Sequence, residues 1–265
     1  MQENVAVYDY PPDLTIHSAL FLDVDGTLVE IAAQPHEVVL APELKPVLKQ
    51  LQTVLDGAFA LVSGRSIADV DRLCAPLHFP VAGQHGIERR DAQGNYHVLK
   101  RVDENFVQAR DWLCQQVRAH PGLLLEDKGL SLALHYRNAP ELANQVKDWM
   151  WRIMNRLDGR YHLQEGKMVM EVRPMGMDKG RAIAAFMNEA PFRGRHPVFV
   201  GDDLTDEDGF AMVNQFNGYS LKVGPGPTRA RFRLPAPAAV ASWLHQQAQR
   251  LQGAQVAGLI ERRDE

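Results

Sequence analysis

The sequence predicts an α/β fold with a parallel sheet, interrupted by a separate α+β insertion. Three short apolar runs, residues 19–22, 58–62 and 198–200, lead into polar residues suited to chemistry: Asp23, Ser63 and Gly201-Asp202-Asp203. Runs of this kind read as buried parallel strands. Helical patterns lie between them, and alternating strand and helix means an open sheet whose ligands gather at the carboxyl ends of the strands. The stretch 89–175 has a different texture, with hairpin-like pairs alternating with helices.

Taken in order, the strand 19–22 drives straight into Asp23 and Asp25, with Gly26 and Thr27 directly behind. A helix is expected over 42–55, then the strand 58–62, ending in Ser63-Gly64-Arg65. Ser66 and Asp69 have capping-box spacing for a helix over 67–73. Within the insertion, helices are expected near 103–119 and 140–157. One hairpin pairs 122–128 with 130–137, and another pairs 161–164 with 168–173 across a turn at Glu165-Gly166. Lys179 stands where a helix begins, a helix runs over 181–188, and the strand 198–200 delivers Asp202 and Asp203. Gly224-Pro225-Gly226-Pro227 is a loop by composition, and an Ala-rich helix over 237–251 closes the pattern. The expected domains are therefore 1–88 with 176–265 as the core and 89–175 as the insertion.

Composition excludes several classes. With 265 residues, 45% hydrophobic and 23% charged, the chain is an ordinary globular one, neither disordered nor fibrous. A net charge of -4 gives no general attraction to nucleic acid or an anionic membrane, so an anionic substrate needs locally placed cations. Residues 1–13 lack the charged start and apolar stretch of a signal peptide, and no apolar run approaches the roughly 20 residues that span a bilayer; a cytoplasmic location is expected. Two cysteines, Cys74 and Cys114, make no disulfide framework and suggest buried free thiols. Oligomeric state is open, and a monomer is compatible with the pattern.

Two carboxylates about 4 Å apart repel by roughly 1 kcal/mol in water and about 4 kcal/mol at an effective dielectric of 20, so Asp23 beside Asp202 calls for a cation. A calcium loop of the EF-hand type fails at once, because Leu28 and Gln34 occupy the positions that need Gly and Glu. An oxygen-rich site with few protein ligands suits Mg²⁺ instead, bridged to a substrate phosphate. Taken alone, Lys179 reads as a solvated helix-start lysine or as an anion-binding group.

In that order, DxDGT at 23–27, the strand ending at Ser63, Lys179, and the Gly201-Asp202-Asp203 strand with Asp206 resemble the four motifs of the haloacid dehalogenase (HAD)-like phosphatases. Finer features are similar to the trehalose-6-phosphate phosphatases: Ser63-Gly64-Arg65, Gln84-His85-Gly86 with Glu88, GDDLTDE at 201–207, Glu126-Asp127-Lys128-Gly129 and the segment around Glu171. The resemblance implies a Rossmannoid core with an α+β cap and a Mg²⁺-dependent phosphatase acting on trehalose 6-phosphate. It implies that Asp23 is the nucleophile, forming an aspartyl-phosphate, and that Asp25 is the general acid and base. Ser63 and Lys179 would hold the phosphoryl oxygens, with Asp23, Asp202 and the main-chain carbonyl of Asp25 as metal ligands. Asp203 and Asp206 would lie behind them. Substrate-binding positions by the same resemblance are Arg65, Glu126, Lys128 and Glu171. Alternatives are a sugar phosphomutase, a sister phosphatase acting on sucrose phosphate or mannosyl phosphoglycerate, and a non-catalytic sugar-phosphate binder.

Overall fold

The computed structural model describes residues 11–31, 38–98, 104–157 and 159–261, and side chains as far as residue 255. The stretch 1–10 and the expected helix start at 103 lie outside these residues. In chain order the strands are β1 (Ser18–Leu22), β2 (Phe59–Val62), β3 (Val81–Gly83), β4 (Glu88–Arg90), β5 (Tyr96–Val98), β6 (Leu124–Asp127), β7 (Leu132–His135), β8 (Tyr161–Gly166), β9 (Val169–Pro174), β10 (His196–Gly201), β11 (Tyr219–Val223) and β12 (Phe232–Leu234). The helices are α1 (Leu44–Val54), α2 (Ile67–Cys74), α3 (Glu104–Arg118), α4 (Ala143–Met154), α5 (Lys179–Met187), α6 (Asp206–Gln215) and α7 (Pro237–Glu261). Contacts divide the chain into two units, Met1–His97 with Asp178–Glu265, and Val98–Met177. The sequence reading put these boundaries at 88/89 and 175/176; residues 88–98 instead form β4 and β5 on the edge of the first unit's sheet.

The first unit is an eight-stranded sheet in the order β12-β11-β10-β1-β2-β3-β4-β5. Its centre is parallel: β1 pairs with β10 (Phe21 opposite Phe199) and with β2 (Phe21 opposite Ala60). Both faces are covered, which is why β1 is apolar from Ala19 to Leu22 rather than alternating. Leu20 and Leu22 face a cluster with Leu48 and Leu51 of α1 and Val240 and Leu244 of α7. Phe21 faces the other way, stacked on Phe192 with ring centroids 5.4 Å apart, alongside Phe186 of α5 and Phe210 of α6. With both layers dry, the strand's carboxyl end is the place where polar side chains meet solvent and ligand.

The second unit is an antiparallel sheet in the order β6-β7-β9-β8. Successive side chains alternate across a strand, so Leu132, Leu134, Met170 and Val172 share one face. That face packs on Phe106 and Leu113 of α3 and Val146, Met150 and Ile153 of α4. Glu165 and Gly166 do not form the expected turn. They continue β8, opposite Met170 and Val169, and the reversal falls at Lys167-Met168, with Met168 at φ +64°. Glu165 lies on the helix-facing side and pairs with Lys147 of α4 at 2.9 Å.

Candidate active site

Asp23 is the first residue past β1 and is 3% exposed. Its Oδ1 accepts from Lys179 Nζ at 2.8 Å, and the same ammonium donates to Asp206 Oδ1 at 2.7 Å. Lys179 can reach both because it opens α5, whose Asp178 cap accepts from the Arg181 amide at 2.7 Å and fixes the start of the helix. Asp206 in turn accepts the Asp202 and Asp203 amides at 2.8 and 3.0 Å, shaping the loop after β10. Asp203 accepts from the amide and hydroxyl of Thr205, at 2.8 and 2.6 Å. Beyond β2, Ser63 is fully buried and its Oγ accepts the Arg65 amide at 3.1 Å, which leaves its O–H free to donate to a ligand. Arg65 grips the Asp25 carboxylate with two parallel bonds, Nε to Oδ2 at 2.7 Å and Nη2 to Oδ1 at 2.6 Å.

Carboxylates from Asp23, Asp202 and Asp206 come within 4.8 Å of one another, a spacing that a metal ion fits. With Asp203 they make four acids against two nearby ammonium groups, Lys179 and Lys222, the latter donating to the Asp202 main-chain oxygen. With all four acids ionised, two negative charges remain over, the charge of one divalent cation. Burial and then Asp203 push the Asp202 carboxyl up to about 6, and burial pushes Asp206 up to about 7 against the pull of Lys179. Asp23 is likewise raised well above its ordinary value by burial, although Lys179 opposes the rise. Burial disfavours the charge on Lys179, but Asp206 and Asp23 outweigh it and hold the ammonium well above its usual range. A hard, all-oxygen donor set with surplus charge fits Mg²⁺. Gly26 belongs to the same fit: it sits at φ +74°, and a Cβ there would lie 2.1 Å from Asp202 Oδ2.

The second unit carries its own polar face, opposite its helices. Strand register puts Glu126, Ala133, Glu171 and Gln164 in one row, with Arg173 beside His162 in the next. Lys128 Nζ donates to Glu171 Oε1 at 3.0 Å, and Ser131 Oγ to the same oxygen at 3.3 Å. Glu126 Oε2 meets His135 Nε2 at 3.0 Å. Burial opposes the charge on Glu126, but His135 and Lys128 outweigh it and hold its carboxyl below its ordinary value.

The sequence profile of the trehalose-phosphatases matches residues 21–238. The chain belongs to the trehalose-phosphatase family. Within it, the trehalose-6-phosphate phosphatase of Escherichia coli (strain K12) is 46% identical over 233 residues, 88% of this chain and 87% of that one. Among solved structures, the C-terminal domain of the C. albicans trehalose-6-phosphate phosphatase superposes with a TM-score of 0.76 at 23% identity, covering 91% of this chain and 99% of that one. A haloacid dehalogenase-like hydrolase from Bacteroides thetaiotaomicron superposes with a TM-score of 0.62 at 15% identity, covering 86% and 98%. These likenesses show the HAD-like fold.

Of the predicted residues, Asp23, Lys179, Asp202, Asp203 and Asp206 converge on one point, and Ser63, Arg65 and Asp25 form a second linked group in the same unit. Glu126, Lys128 and Glu171 share one sheet face in the other unit. Asp25 sends its carboxylate to Arg65, which leaves its main-chain carbonyl as the expected metal ligand, and the close carboxylate triplet adds Asp206, which the sequence reading had placed behind the ligands. Lys222 and His135 were missed. A lysine on a late strand and a histidine in a hairpin carry no signal until register places them beside an acid.

Proposed function

We propose that this trehalose-phosphatase family member hydrolyses trehalose 6-phosphate to trehalose and phosphate through an aspartyl-phosphate on Asp23. The observation that carries the reading is the buried Asp23 carboxylate held on Lys179 at the carboxyl end of the central strand, with the Arg65-held Asp25 two residues on. Lys179 holds Asp23 Oδ1, and the carboxylate's other oxygen, on the side of Asp202, would make the in-line attack on phosphorus. The new bond runs from Asp23 Oδ to phosphorus as the bond from phosphorus to the sugar oxygen breaks, and Asp25, once it has exchanged its Arg65 pairing for a proton from solvent, donates that proton to the departing oxygen. Asp25, then a carboxylate, takes a proton from the water that attacks the aspartyl-phosphate, releasing phosphate and restoring Asp23. The Ser63 hydroxyl and Lys179 hold phosphoryl oxygens throughout. Asp23, Asp202 and the Asp25 carbonyl would hold Mg²⁺, which when bound offsets phosphoryl and carboxylate charge.

Glu126, Lys128 and Glu171 are assigned to the distal glucose. Its hydroxyls are uncharged and are distinguished only by fixed hydrogen-bonding groups, which the polar sheet face offers. Phosphorylated sugars are charged and stay inside the cell, so we place the enzyme in the cytoplasm. The test is phosphate release across a panel of sugar phosphates, with Mg²⁺ and with EDTA. Selective, Mg²⁺-dependent turnover of trehalose 6-phosphate is expected, and equal rates across the panel or full turnover in chelator would overturn the reading.

A further inference from the structure

Three consecutive residues after β3 have left-handed backbones: Gln84 at φ +49°, His85 at +58° and Gly86 at +97°. Two of them are not glycine, and such runs persist only where the surroundings over-determine them. Here the surroundings are the loop that follows β2. The Gln84 amide donates to the Arg65 carbonyl at 2.8 Å, and the His85 amide donates to the Ser63 carbonyl at 2.9 Å. A right-handed backbone at either position would aim these donors elsewhere. Glu88 Oε1 ties the two segments a second time, accepting the Ile67 amide at 2.8 Å and Gln84 Nε2 at 3.2 Å. The His85 ring, 6% exposed, lies over Gly64: a Cβ at Gly64 would meet both Cε1 and Nε2 at 2.9 Å. The loop is thus held by both flanking carbonyls and covered on its middle residue. Its outputs are the Ser63 hydroxyl and the Arg65 guanidinium, which grips Asp25.

We infer that the Gln84–Gly86 turn is a brace, with His85 as a positioning residue, that fixes the Ser63-Gly64-Arg65 loop in the geometry that binds a phosphoryl group and presents Asp25. The inference rests on the functional reading above for which reaction is served, but not for the phosphate cradle itself. His85 acts through the loop: its ring sets where Gly64 lies, and its amide sets where Ser63 lies. Misplacing catalytic groups by an ångström costs up to about a hundredfold in rate, so the brace governs turnover more than stability.

Because Asn and Gly both accept a left-handed backbone, His85→Asn and His85→Gly remove the ring without forcing the turn to unfold. The experiment measures melting temperature, the Kd of inorganic phosphate in the presence of Mg²⁺, and kcat and KM for trehalose 6-phosphate and p-nitrophenyl phosphate. Expected for both variants is a native melting transition with phosphate affinity and kcat each down about tenfold or more on either ester, and KM for the sugar altered less than kcat. His85→Asn is then combined with Ser63→Ala. Groups that act through one another are non-additive, so the added loss should shrink to about threefold or less. Phosphate affinity and kcat within about twofold of the unaltered protein, or full additivity in the double variant, would overturn the brace. If the unaltered protein turned over neither ester, the functional reading would fall, and phosphate titration of the same variants would still decide the brace.

Discussion

Asp23 and Asp25 stand two residues apart, and their settings divide their labour. Asp23 is buried on an ammonium, whereas Asp25 is about a third exposed on a guanidinium, open to a leaving group and to water. Asp23→Asn should abolish turnover and the covalent step together; Asp25→Asn should slow both chemical steps while a phosphate-mimicking fluoride still traps on Asp23. Near-normal phosphate release by Asp23→Asn would remove the nucleophile assignment. Thiol chemistry should divide as well. Burial pushes the Cys74 thiol up to about 11, so it should resist maleimide labelling at neutral pH until the protein unfolds, while the less buried Cys114 labels first. Mass spectrometry of the singly labelled protein locates the adduct. The residues legible in the sequence were those that follow apolar runs, Asp23, Ser63 and Asp202, because a polar side chain at the end of a buried strand has few structural reasons to be there. Asp206 was legible as a motif member but not as the acceptor that shapes the Asp202 loop, since that bond runs backward from the first turn of α6.

At the scale of elements, the closeness of α5 and α6 rests on a glycine. A Cβ on Gly180 would meet the Asp208 carbonyl oxygen at 2.4 Å, so Gly180→Ala must push the helices apart. It should destabilise the fold by about 1–3 kcal/mol and lower kcat further by displacing Lys179, its neighbour; calorimetry and turnover together check this. The polar face of the β6-β7-β9-β8 sheet makes a different forecast. Glu126→Ala, Lys128→Ala and Glu171→Ala should each cost about 1.5–3 kcal/mol in kcat/KM on trehalose 6-phosphate and little on p-nitrophenyl phosphate. Equal losses on both esters would mean that these side chains support folding, not sugar recognition. The same sheet shows where sequence reading stops. Its hairpin was found, but Glu165-Gly166 looked like a turn because glycine is a turn residue. The chain instead reverses at Lys167-Met168, where a methionine adopts φ +64° under the demands of strand pairing. Strands β4, β5 and β12 carry arginines, histidine or short mixed runs, and as outer strands of the sheet they have no continuous apolar signal to read.

For the molecule as a whole, surplus acid links metal, pH and stability. The carboxyls of Asp202 and Asp206 are raised in the folded state, to about 6 and about 7, above ordinary values of 3.8. A raised acid binds protons more readily folded than unfolded, so its contribution is present at low pH and fades as pH rises through the folded value. In EDTA the protein should therefore melt lower at pH 8 than at pH 5.5. At pH 8, Mg²⁺ at about 100 times its Kd should restore roughly 2.7 kcal/mol. A metal-free melting temperature that climbs between pH 5.5 and pH 8 would contradict this. The strand order has a further consequence, for how the chain is made. The central strand β1 pairs with β2 early but with β10 only 178 positions further along the chain, since Leu22 lies opposite Val200. Long-range parallel pairing is slow to close. The unit Val98–Met177, by contrast, is one continuous stretch with its own apolar core. During synthesis it can finish folding while β1 still waits for its second neighbour to leave the ribosome. Pulse-labelled hydrogen exchange during refolding should protect β6, β7, β8 and β9 before β1. In the interval residues 19–22 of β1 are an apolar edge, so any chaperone dependence should be greatest for chains stalled between residues 177 and 201.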